Sequence, residues 1–448
     1  IRVRSMVKQG VTTSTIADGL TSVNDVIQST QYFDGLGRLM QTVNKQFTPL
    51  QKDMVAPVVY DEFGREVIKY LPYVSTAIDG NYKPNAVPEQ NAFNAVQFST
   101  EQFYYGQIEY EASPLNRVLN SFAQGNSWAG TSRGITNQYQ VNTESENIQI
   151  WSIAFAPGSL PVSEGAYPDG ELYKNVSIDE HGNKVAEYKD KEGKIILKKV
   201  QLSSTAAADH TGWLCTYYIY DDLNNLRFVI QPKAVELISS SWELTQSITD
   251  ELCFQYEYDA RNRMIIKKIP GSGEVQMVYD ARDRMVMMQD SNMRVSQKWK
   301  VTVYENNMNR PVNTYLITDP ANYNNSDFHR TQAYTNISYP VVASYTNELL
   351  SETYYDDYTG LPAGLSSALN GTYITSSNFI TTYNTSPLYA QQITQSLAVK
   401  GMATWSRVKV LGSTNTFIST AMVYDDRGRV IQLQSINPTG GRDIATTQ

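Results

Sequence analysis

Histidine and cysteine are almost missing from this sequence. Among 448 residues there are three histidines and two cysteines. His181, His210 and His329 lie far apart, with no second His or Cys at ligand spacing, which argues against a zinc site. Cys215 and Cys253 each stand six residues before an aspartate, Asp221 and Asp259, so they occupy matching positions in a repeated unit. If one strand separates such equivalent positions, their Cα atoms lie about 9–10 Å apart, beyond the roughly 7 Å a disulfide can span. Two buried free thiols are expected, and so few cysteines neither require nor exclude an oxidising compartment. An excess of basic charge is also lacking: 37 Lys+Arg face 45 Asp+Glu, a formal net charge of −8, which excludes the basic surface that nucleic acid demands. Charged residues make up 18% against 41% hydrophobic, a balance that excludes a disordered or coiled-coil chain. No apolar run approaches the roughly 18 residues of a membrane-spanning helix. The N-terminal IRVRSMVKQG has neither an initiator Met nor a signal-peptide core, and reads as an internal or processed fragment of something longer.

What the chain does have is tyrosine, 31 residues against 26 glycines, and tyrosine favours a pleated, half-buried surface. It also has an internal repeat, which should be sought before single elements are assigned. A strand residue precedes Asp, two variable residues follow, then Gly, Asn or Asp, and usually Arg or Lys. The copies are YFDGLGRLMQ, YDEFGREVIK, IDEHGNKVAEY, KDKEGKIILKK, YDDLNNLRFVI, YDARNRMIIKK, YDARDRMVMMQ and YDDRGRVIQLQ. Their aspartates are Asp34, Asp61, Asp179, Asp190, Asp221, Asp259, Asp280 and Asp425. Three residues after each comes Gly37, Gly64, Gly182, Gly193, Asn224, Asn262, Asp283 or Gly428, the residue types that best tolerate positive φ. The Asp accepts bonds from backbone amides two residues on, and the Gly/Asn position closes a hairpin loop with a bulge. Arg38, Arg65, Arg263, Arg284 and Arg429 stand where they can pair with their own turn Asp, a surface contact worth only about 0–1 kcal/mol.

Asp-to-Asp spacings run from 11 to 145 residues, which suits a meandering sheet better than a propeller or solenoid of strict period. Two gaps hold weaker copies: SPLNRV keeps Asn116 and Arg117 with Ser113 for Asp, and VYENNMNRPV keeps Asn309 and Arg310 with Asn306 in the Asp place. YYDDYTG near Asp356 shifts its Gly by one. The expected fold is all-β, a long antiparallel sheet of hairpins with a few short helices in insertions. Residues 1–30 read as a lead-in and 31–448 as a continuous repeat region. It is interrupted by a loop at 79–104 with at most a short helix, two short helices at 234–252, and a Tyr/Ser/Thr/Asn-rich stretch at 320–400 with weak register signals.

These copies resemble Rhs (YD-repeat) proteins. The likeness spans Tyr32 to about Ile436 and is strengthened by longer blocks such as QYFDGLGRLMQTV, EASPLNRV, GNSWAGTSRG and TYYIYDDLNNLRFVIQPKA, similar to the N-terminal half of large Gram-negative surface or secreted Rhs proteins. The resemblance implies a sheet spiralling into a hollow shell or partial shell. In toxin-bearing members the shell encloses a C-terminal effector, and in animal teneurins a related barrel serves adhesion. A closing motif of the RYYDPxxGRF type and a variable toxin segment after Gln448 are not found. The partners implied are the remainder of the polypeptide or an enclosed cargo, export machinery and outer-membrane proteins, in an extracellular or cell-surface setting.

Little else in the sequence suggests chemistry. Gly130, Thr131, Ser132, Arg133 and Gly134 match G-x-S-x-G, but a nucleophile elbow needs a buried strand before Ser and a helix after it. Here a polar loop precedes and alternating β follows, so Ser132 reads as a loop residue and a hydrolase as the weakest alternative. Paired carboxylates would suit a glycosidase, yet each repeated Asp already has a turn role. His329, beside Asp327 and Arg330, reads as a surface-loop histidine. The repeat tyrosines would suit a glycan platform in an adhesin, an alternative set against cross-strand packing. N-x-S/T sequons at Asn175, Asn324, Asn336, Asn370 and Asn384 matter only in a eukaryotic secretory pathway. The expectation is a non-enzymatic module without metal or cofactor.

Overall fold

Period-two burial dominates the strands: in Trp213–Tyr220, for instance, Cys215, Tyr217 and Ile219 are buried while their neighbours are not, as a sheet with one covered face requires. The computed structural model describes residues 1–8, 11, 13–374 and 393–447; Asn384 lies outside them. The chain divides into two units, Ile1–Trp151 with Ser163–Tyr217, and Ser152–Val162 with Tyr218–Gln448.

The first unit holds a five-stranded sheet ordered Arg2–Met6, Val26–Phe33, Leu39–Asn44, Met54–Pro57 and Tyr73–Val74. Within residues 1–30, Arg2–Met6 is hydrogen-bonded to Val26–Phe33 in antiparallel register. The same unit contains a run of antiparallel strands, Ile68–Tyr70, Tyr105–Tyr110, Val118–Phe122, Gly134–Val141, Tyr173–Ile178, Lys184–Lys189 and Ile195–Gln201, followed by the strand Trp213–Tyr220 as far as Tyr217.

In the second unit the strands are Leu226–Ile230, Cys253–Tyr258, Met264–Lys268, Val275–Tyr279, Met285–Gln289, Lys298–Tyr304, Pro311–Thr318, Thr346–Tyr355, Ala403–Lys409, Phe417–Tyr424, Val430–Ile436 and Arg442–Thr446. Each pairs antiparallel with the next. The architecture is all-β and antiparallel. Short helices Pro232–Ile238 and Gln246–Leu252 fill the 234–252 insertion.

Two stretches differ from the sequence reading. Residues 79–104 contain a twelve-residue helix, Ala86–Gln97, whose buried face is Ala86, Gln90 and Asn94. A core-facing stripe that is two-thirds amide carries no hydrophobic periodicity, and Pro88 sits in the first turn, where its missing N–H costs nothing. The helix covers the five-stranded sheet, where Val43, Val55, Tyr73 and Ala86 form a core. Residues 326–333 are likewise helical, Ser326–Ala333 capped by Asn325, and Ala333 joins the main cluster of the second unit with Val278, Val286, Met287, Trp299, Val301 and Ile317. Each fully buried large side chain there contributes about 1.5–3 kcal/mol.

His329 is accordingly no surface-loop residue: it is fully buried, 4.8 Å from the Trp299 ring, with Nδ1 2.7 Å from the Tyr339 hydroxyl. YYDDYTG is not a shifted hairpin copy. The strand ending at Tyr355 pairs with Ala403–Lys409, and Asp356 itself takes the left-handed conformation (φ 72°).

Candidate functional site

All eight repeat aspartates build one turn. At Asp34 the backbone N–H donates to the Arg38 carbonyl (2.9 Å) and the carbonyl accepts from Gly37 N–H (3.0 Å). Oδ1 accepts from the backbone N–H groups of Leu36 and Arg38, both 2.9 Å, and Oδ2 from Arg38 Nε at 2.7 Å. The same backbone pattern recurs at Asp61, Asp179, Asp190, Asp221, Asp259, Asp280 and Asp425. In each, the residue three on has positive φ: Gly37, Gly64, Gly182, Gly193, Asn224, Asn262, Asp283 and Gly428. This is a three-residue hairpin loop closed by a left-handed residue, and the register slips by one just before the Asp, between Tyr32/Phe33, Tyr188/Lys189, Glu257/Tyr258, Val278/Tyr279 and Val423/Tyr424.

Arg65, Arg263, Arg284 and Arg429 repeat the Nε–Oδ2 contact at 2.7–2.8 Å. Asn183 and Asn225 donate an amide to their Asp instead, and Lys194 lies 3.5 Å from Asp190. Hydrogen bonds from Arg38 hold the Asp34 carboxyl below its ordinary range. At Asp61, Asp259 and Asp425 burial pushes the other way, and the bonds from the partner arginine and the turn backbone outweigh it.

Sequence reasoning gave the acid's place to the wrong residue in two members of this set, Ser113 and Asn306, and missed a third. In SPLNRV the Asp role falls to Glu111, two residues before Ser113: its N–H donates to the Arg117 carbonyl and its Oε2 accepts from Arg117 Nε at 2.8 Å. In VYENNMNRPV it falls to Glu305, paired with Arg310. These loops are one or two residues longer, and the longer glutamate reaches across them. A further copy is INPTGGR, where Asn437 accepts from Thr439 and Gly441 N–H groups and Gly440 takes the left-handed place. Its signal was the N-x-x-G spacing, with an amide oxygen in place of the carboxylate.

The structure adds a lateral contact that no local motif shows. The guanidinium of Arg38 lies over the Tyr60 ring at 4.8 Å, Arg65 over Tyr110 at 4.8 Å and Arg117 over Tyr139 at 4.4 Å. In the second unit Arg263 lies over Tyr279 at 5.0 Å, Arg284 over Tyr304 at 4.9 Å and Arg310 over Tyr355 at 4.3 Å. One register rule generates all six. Gln41 stands opposite Pro57, so Arg38, three residues back, stands opposite Tyr60. The pairs Ile68/Gln107, Asn120/Thr136, Ile266/Gln276, Met287/Val301 and Asn313/Glu352 place the other five in the same way.

Five of these tyrosines directly precede an acid, Asp61, Glu111, Asp280, Glu305 or Asp356, while Tyr139 lies inside the strand Gly134–Val141, and each of the six arginines binds its own turn acid and a ring on or just past the next strand. Cation–π contacts of this kind contribute about 0.5–2 kcal/mol, more as they are desolvated. The tyrosine hydroxyl then donates back to the carbonyl of the residue after the arginine: Tyr139 to Val118, Tyr279 to Met264, Tyr304 to Met285 and Tyr355 to Pro311, at 3.0–3.2 Å. Burial pushes the Tyr279 and Tyr304 hydroxyls up, against the pull of the arginines, which keeps them donors.

Other polar clusters also serve the scaffold. Lys199, buried, donates to the Ala208 and Asp209 carbonyls at 2.8 Å, and Glu146 joins Lys174 (2.6 Å) to the Tyr188 hydroxyl (2.8 Å). His210 Nε2 lies 2.8 Å from the Tyr217 hydroxyl, and burial pushes its pKa down to about 4. His181 occupies the exposed tip of the Asp179 turn. Cys215 and Cys253 are buried free thiols, pushed up by burial to about 11 and 12. Ser132 is an exposed left-handed residue ending the short 3₁₀ turn Ala129–Thr131, ahead of the strand Gly134–Val141. Among the described residues no three His, Cys, Asp or Glu gather at a metal-binding distance, and no helix is long and apolar enough to cross a membrane.

A family model described as a domain of unknown function, DUF6443, matches residues 4–141. No curated protein matches the chain. Among solved structures it is similar to TcdB2-TccC3-TEV, at 13% identity and a TM-score of 0.46, over 94% of this chain and 18% of that one. TcdB2-TccC3 matches at 12% identity and 0.45, over 93% and 18%. The Photorhabdus luminescens Tc holotoxin pore carrying a TccC3 mutation matches at 12% identity and 0.44, over 93% and 17%. The chain thus spans less than a fifth of each of these three.

Proposed function

We propose that this chain is a non-enzymatic scaffold, a wall segment of an extracellular or cell-surface Rhs-type repeat protein that encloses or presents another stretch of polypeptide, such as a C-terminal effector. The observation that carries this reading is how the repeated polar residues are used. Asp, Arg and Tyr of the repeats are occupied with one another, tying each turn to the next, which is what a wall needs and a catalytic centre does not. Hairpins formed by local pairing let such a sheet grow wide with few exposed edges, and a sheet whose backbone groups are paired offers a protease little extended chain. The partners on this reading are the remainder of the polypeptide, an export apparatus and outer-membrane proteins.

The test is limited proteolysis of the natural polypeptide that contains this chain. The expected result is a protected fragment lying outside these 448 residues that becomes sensitive once the sheet is unfolded. Digestion of every outside segment at the rate of free peptide, with the sheet intact, would overturn the proposal. A glycan platform on the repeat tyrosines is less well supported, because a guanidinium covers a face of each clamped ring. A hydrolase using Ser132 predicts labelling by a serine-directed probe that Ser132→Ala abolishes; the scaffold reading predicts no such difference.

A further inference from the structure

On the covered face of Val430–Ile436 two glutamines stand where Trp213–Tyr220 puts Cys215, Tyr217 and Ile219. Gln432 and Gln434 are 1% and 0% exposed and lie opposite the buried Val423 and Ala421. A buried carboxamide is costly unless its donors and acceptor are engaged, and these two are. Gln434 Nε2 donates to Gln432 Oε1, and Gln432 Nε2 donates to Thr446 Oγ1, both at 3.0 Å, so each amide plane is held in place. Their other bonds go to the main chain of Ser366–Asn370, a segment outside every strand.

Gln434 Oε1 accepts from Ser366 N–H at 3.1 Å, and its Nε2 donates to the Ala368 carbonyl at 2.9 Å. Gln395 accepts from Leu369 N–H at 2.8 Å and donates to the Ser367 carbonyl at 2.7 Å. Gln432 takes both groups of Asn370, accepting from its N–H at 2.8 Å and donating to its carbonyl at 3.2 Å. All of these bonds read main-chain groups. Among the described residues no backbone–backbone bond joins Ser366–Asn370 to a strand. None of its side chains is buried, and Ser366 Oγ and Asn370 Oδ1 turn back to accept from the nearby N–H groups of Ala368 and Thr372. Gln41 reads Lys83 in the same way, accepting from its N–H at 2.9 Å and donating to its carbonyl at 3.0 Å. There, however, the Lys83 side chain is also buried, with Nζ on Asp53 at 2.9 Å. That contact specifies a lysine, whereas the three glutamines specify a peptide backbone.

We propose that Gln395, Gln432 and Gln434 form a binding site for the main chain of a polypeptide of any sequence, that Ser366–Asn370 fills it as a built-in occupant, and that a second polypeptide segment takes its place there. A segment held by neutral hydrogen bonds, without a ladder or a buried anchor, opens while the strands beside it stay folded. The uncovered glutamines, buried and already oriented by one another, then lack partners, and another main chain offering N–H and C=O groups restores them. That the natural ligand is an enclosed stretch of the same polypeptide rests on the wall reading above; the site's chemistry does not.

The test uses the full chain. Ser366→Pro, Leu369→Pro and Asn370→Pro together remove the three N–H groups from which the glutamines accept and change no strand residue. Ligand-observed NMR follows LSSALNG, the sequence of Leu365–Gly371, a scrambled peptide of the same composition, and LSSALNG N-methylated at the same three places. The peptides are used at millimolar concentration, the range of a tethered segment's effective concentration. The proline variant is expected to bind the first two peptides equally, within about twofold, and about tenfold more tightly than the parent does, whose own segment competes. The methylated peptide is expected not to bind, and Gln432→Met with Gln434→Met in the proline variant should abolish binding. In the parent, hydrogen exchange at Ser366, Leu369 and Asn370 is expected to be about tenfold or more faster than in the Val430–Ile436 ladder.

A folded proline variant that binds no peptide would overturn the proposal, as would binding of the methylated peptide or binding that survives the two methionines. A clear preference for LSSALNG over the scrambled peptide would make the site sequence-specific and overturn it. So would exchange of the segment only together with the strand, or loss of folding in the proline variant, since either makes the segment a fixed part of the core. Digestion of every segment outside this chain, which sinks the wall reading, leaves all of these outcomes unchanged.

Discussion

The turn rows of the two units solve the same problem with different residues. In the first unit the left-handed places after Asp34 and Asp61 are Gly37 and Gly64, and the loop tips are Leu36, Phe63 and, in the Glu111 loop, Leu115, exposed by 79, 71 and 70%. In the second unit the left-handed places in the Asp259, Asp280 and Glu305 loops are Asn262, Asp283 and Asn309, and the tips after Asp259 and Asp280 are Arg261 and Arg282. Glycine enters the left-handed region without penalty, whereas Asn or Asp gives up some of that ease. In exchange the side chain becomes an acceptor for the neighbouring turn. Arg263 Nη1 reaches Asp283 Oδ1 at 2.7 Å, Arg261 reaches the same oxygen at 2.9 Å, and both Arg282 and Arg284 reach Asn309 Oδ1, at 2.8 and 3.0 Å. The Asp34 turn is relaxed and tied sideways by Arg38 on the next ring, while at Asp61 Arg65 also reaches the left-handed Asn116 of the next turn, Nη1 to Oδ1 at 3.0 Å. An Asn/Asp turn is mildly strained and tied twice.

The sharpest test of this difference is to remove one arginine from each row. Arg284 is nearly buried and Asp280 fully so, and Arg284 also donates to the Ile337 carbonyl at 2.8 Å. Arg284→Ala is expected to destabilise the second unit by about 3–5 kcal/mol, because it strands a buried carboxylate. Arg38→Ala, at a half-exposed pair, should cost about 0–1 kcal/mol. Urea denaturation of the two variants measures both, and equal losses would break the comparison.

Acid should dissolve the turns in both rows. Arg117 lowers Glu111 to about 2, and Arg310 with the Gly401 N–H lowers Asp356 to about 2. A carboxylate whose folded pKa is depressed contributes its stability above the unfolded value, near 4, and loses it as the pH falls through the folded one. Stability is therefore expected to be flat in these groups above about pH 5 and to fall between about 4 and 2. Melting temperatures across that range check this, and Arg310→Gln should move the Asp356 part of the fall to higher pH.

Converting one kind of turn into the other should give smaller effects. Asp283→Gly relieves the left-handed strain but removes the acceptor of Arg261 and Arg263, for a net loss of about 1 kcal/mol by denaturation. Gly64→Asn does the reverse. A side chain there meets only the flexible end of Arg38, 3.0 Å from the new Cβ, so stability should stay within about 1 kcal/mol of the parent. The smallest effect belongs to the tips. Replacing Leu36, Phe63 and Leu115 by serine should change stability by less than about 0.5 kcal/mol each, and a larger loss in the melting temperature would mean that these side chains are covered.

How far each feature could be read from the sequence follows how far apart its parts lie. The Asp turns were legible because Asp34, Gly37 and Arg38 complete their bonds within five residues. Glu111 and Glu305 escaped because a lengthened loop moved the acid out of the expected position, and Asn437 because an amide took its role. The helix Ala86–Gln97 was hidden by a polar buried face, and His329 by a helix in a stretch without periodicity. The clamps lay further out of reach: Arg65 and Tyr110, or Arg310 and Tyr355, are 45 residues apart, and only strand register brings them together.

The sequence by itself thus determined the turns and the β character, since these follow from backbone preferences and bonds between near neighbours. Only the tertiary structure decided which hairpin lies beside which and which ring covers which guanidinium, because those contacts depend on how strands distant in the chain are paired.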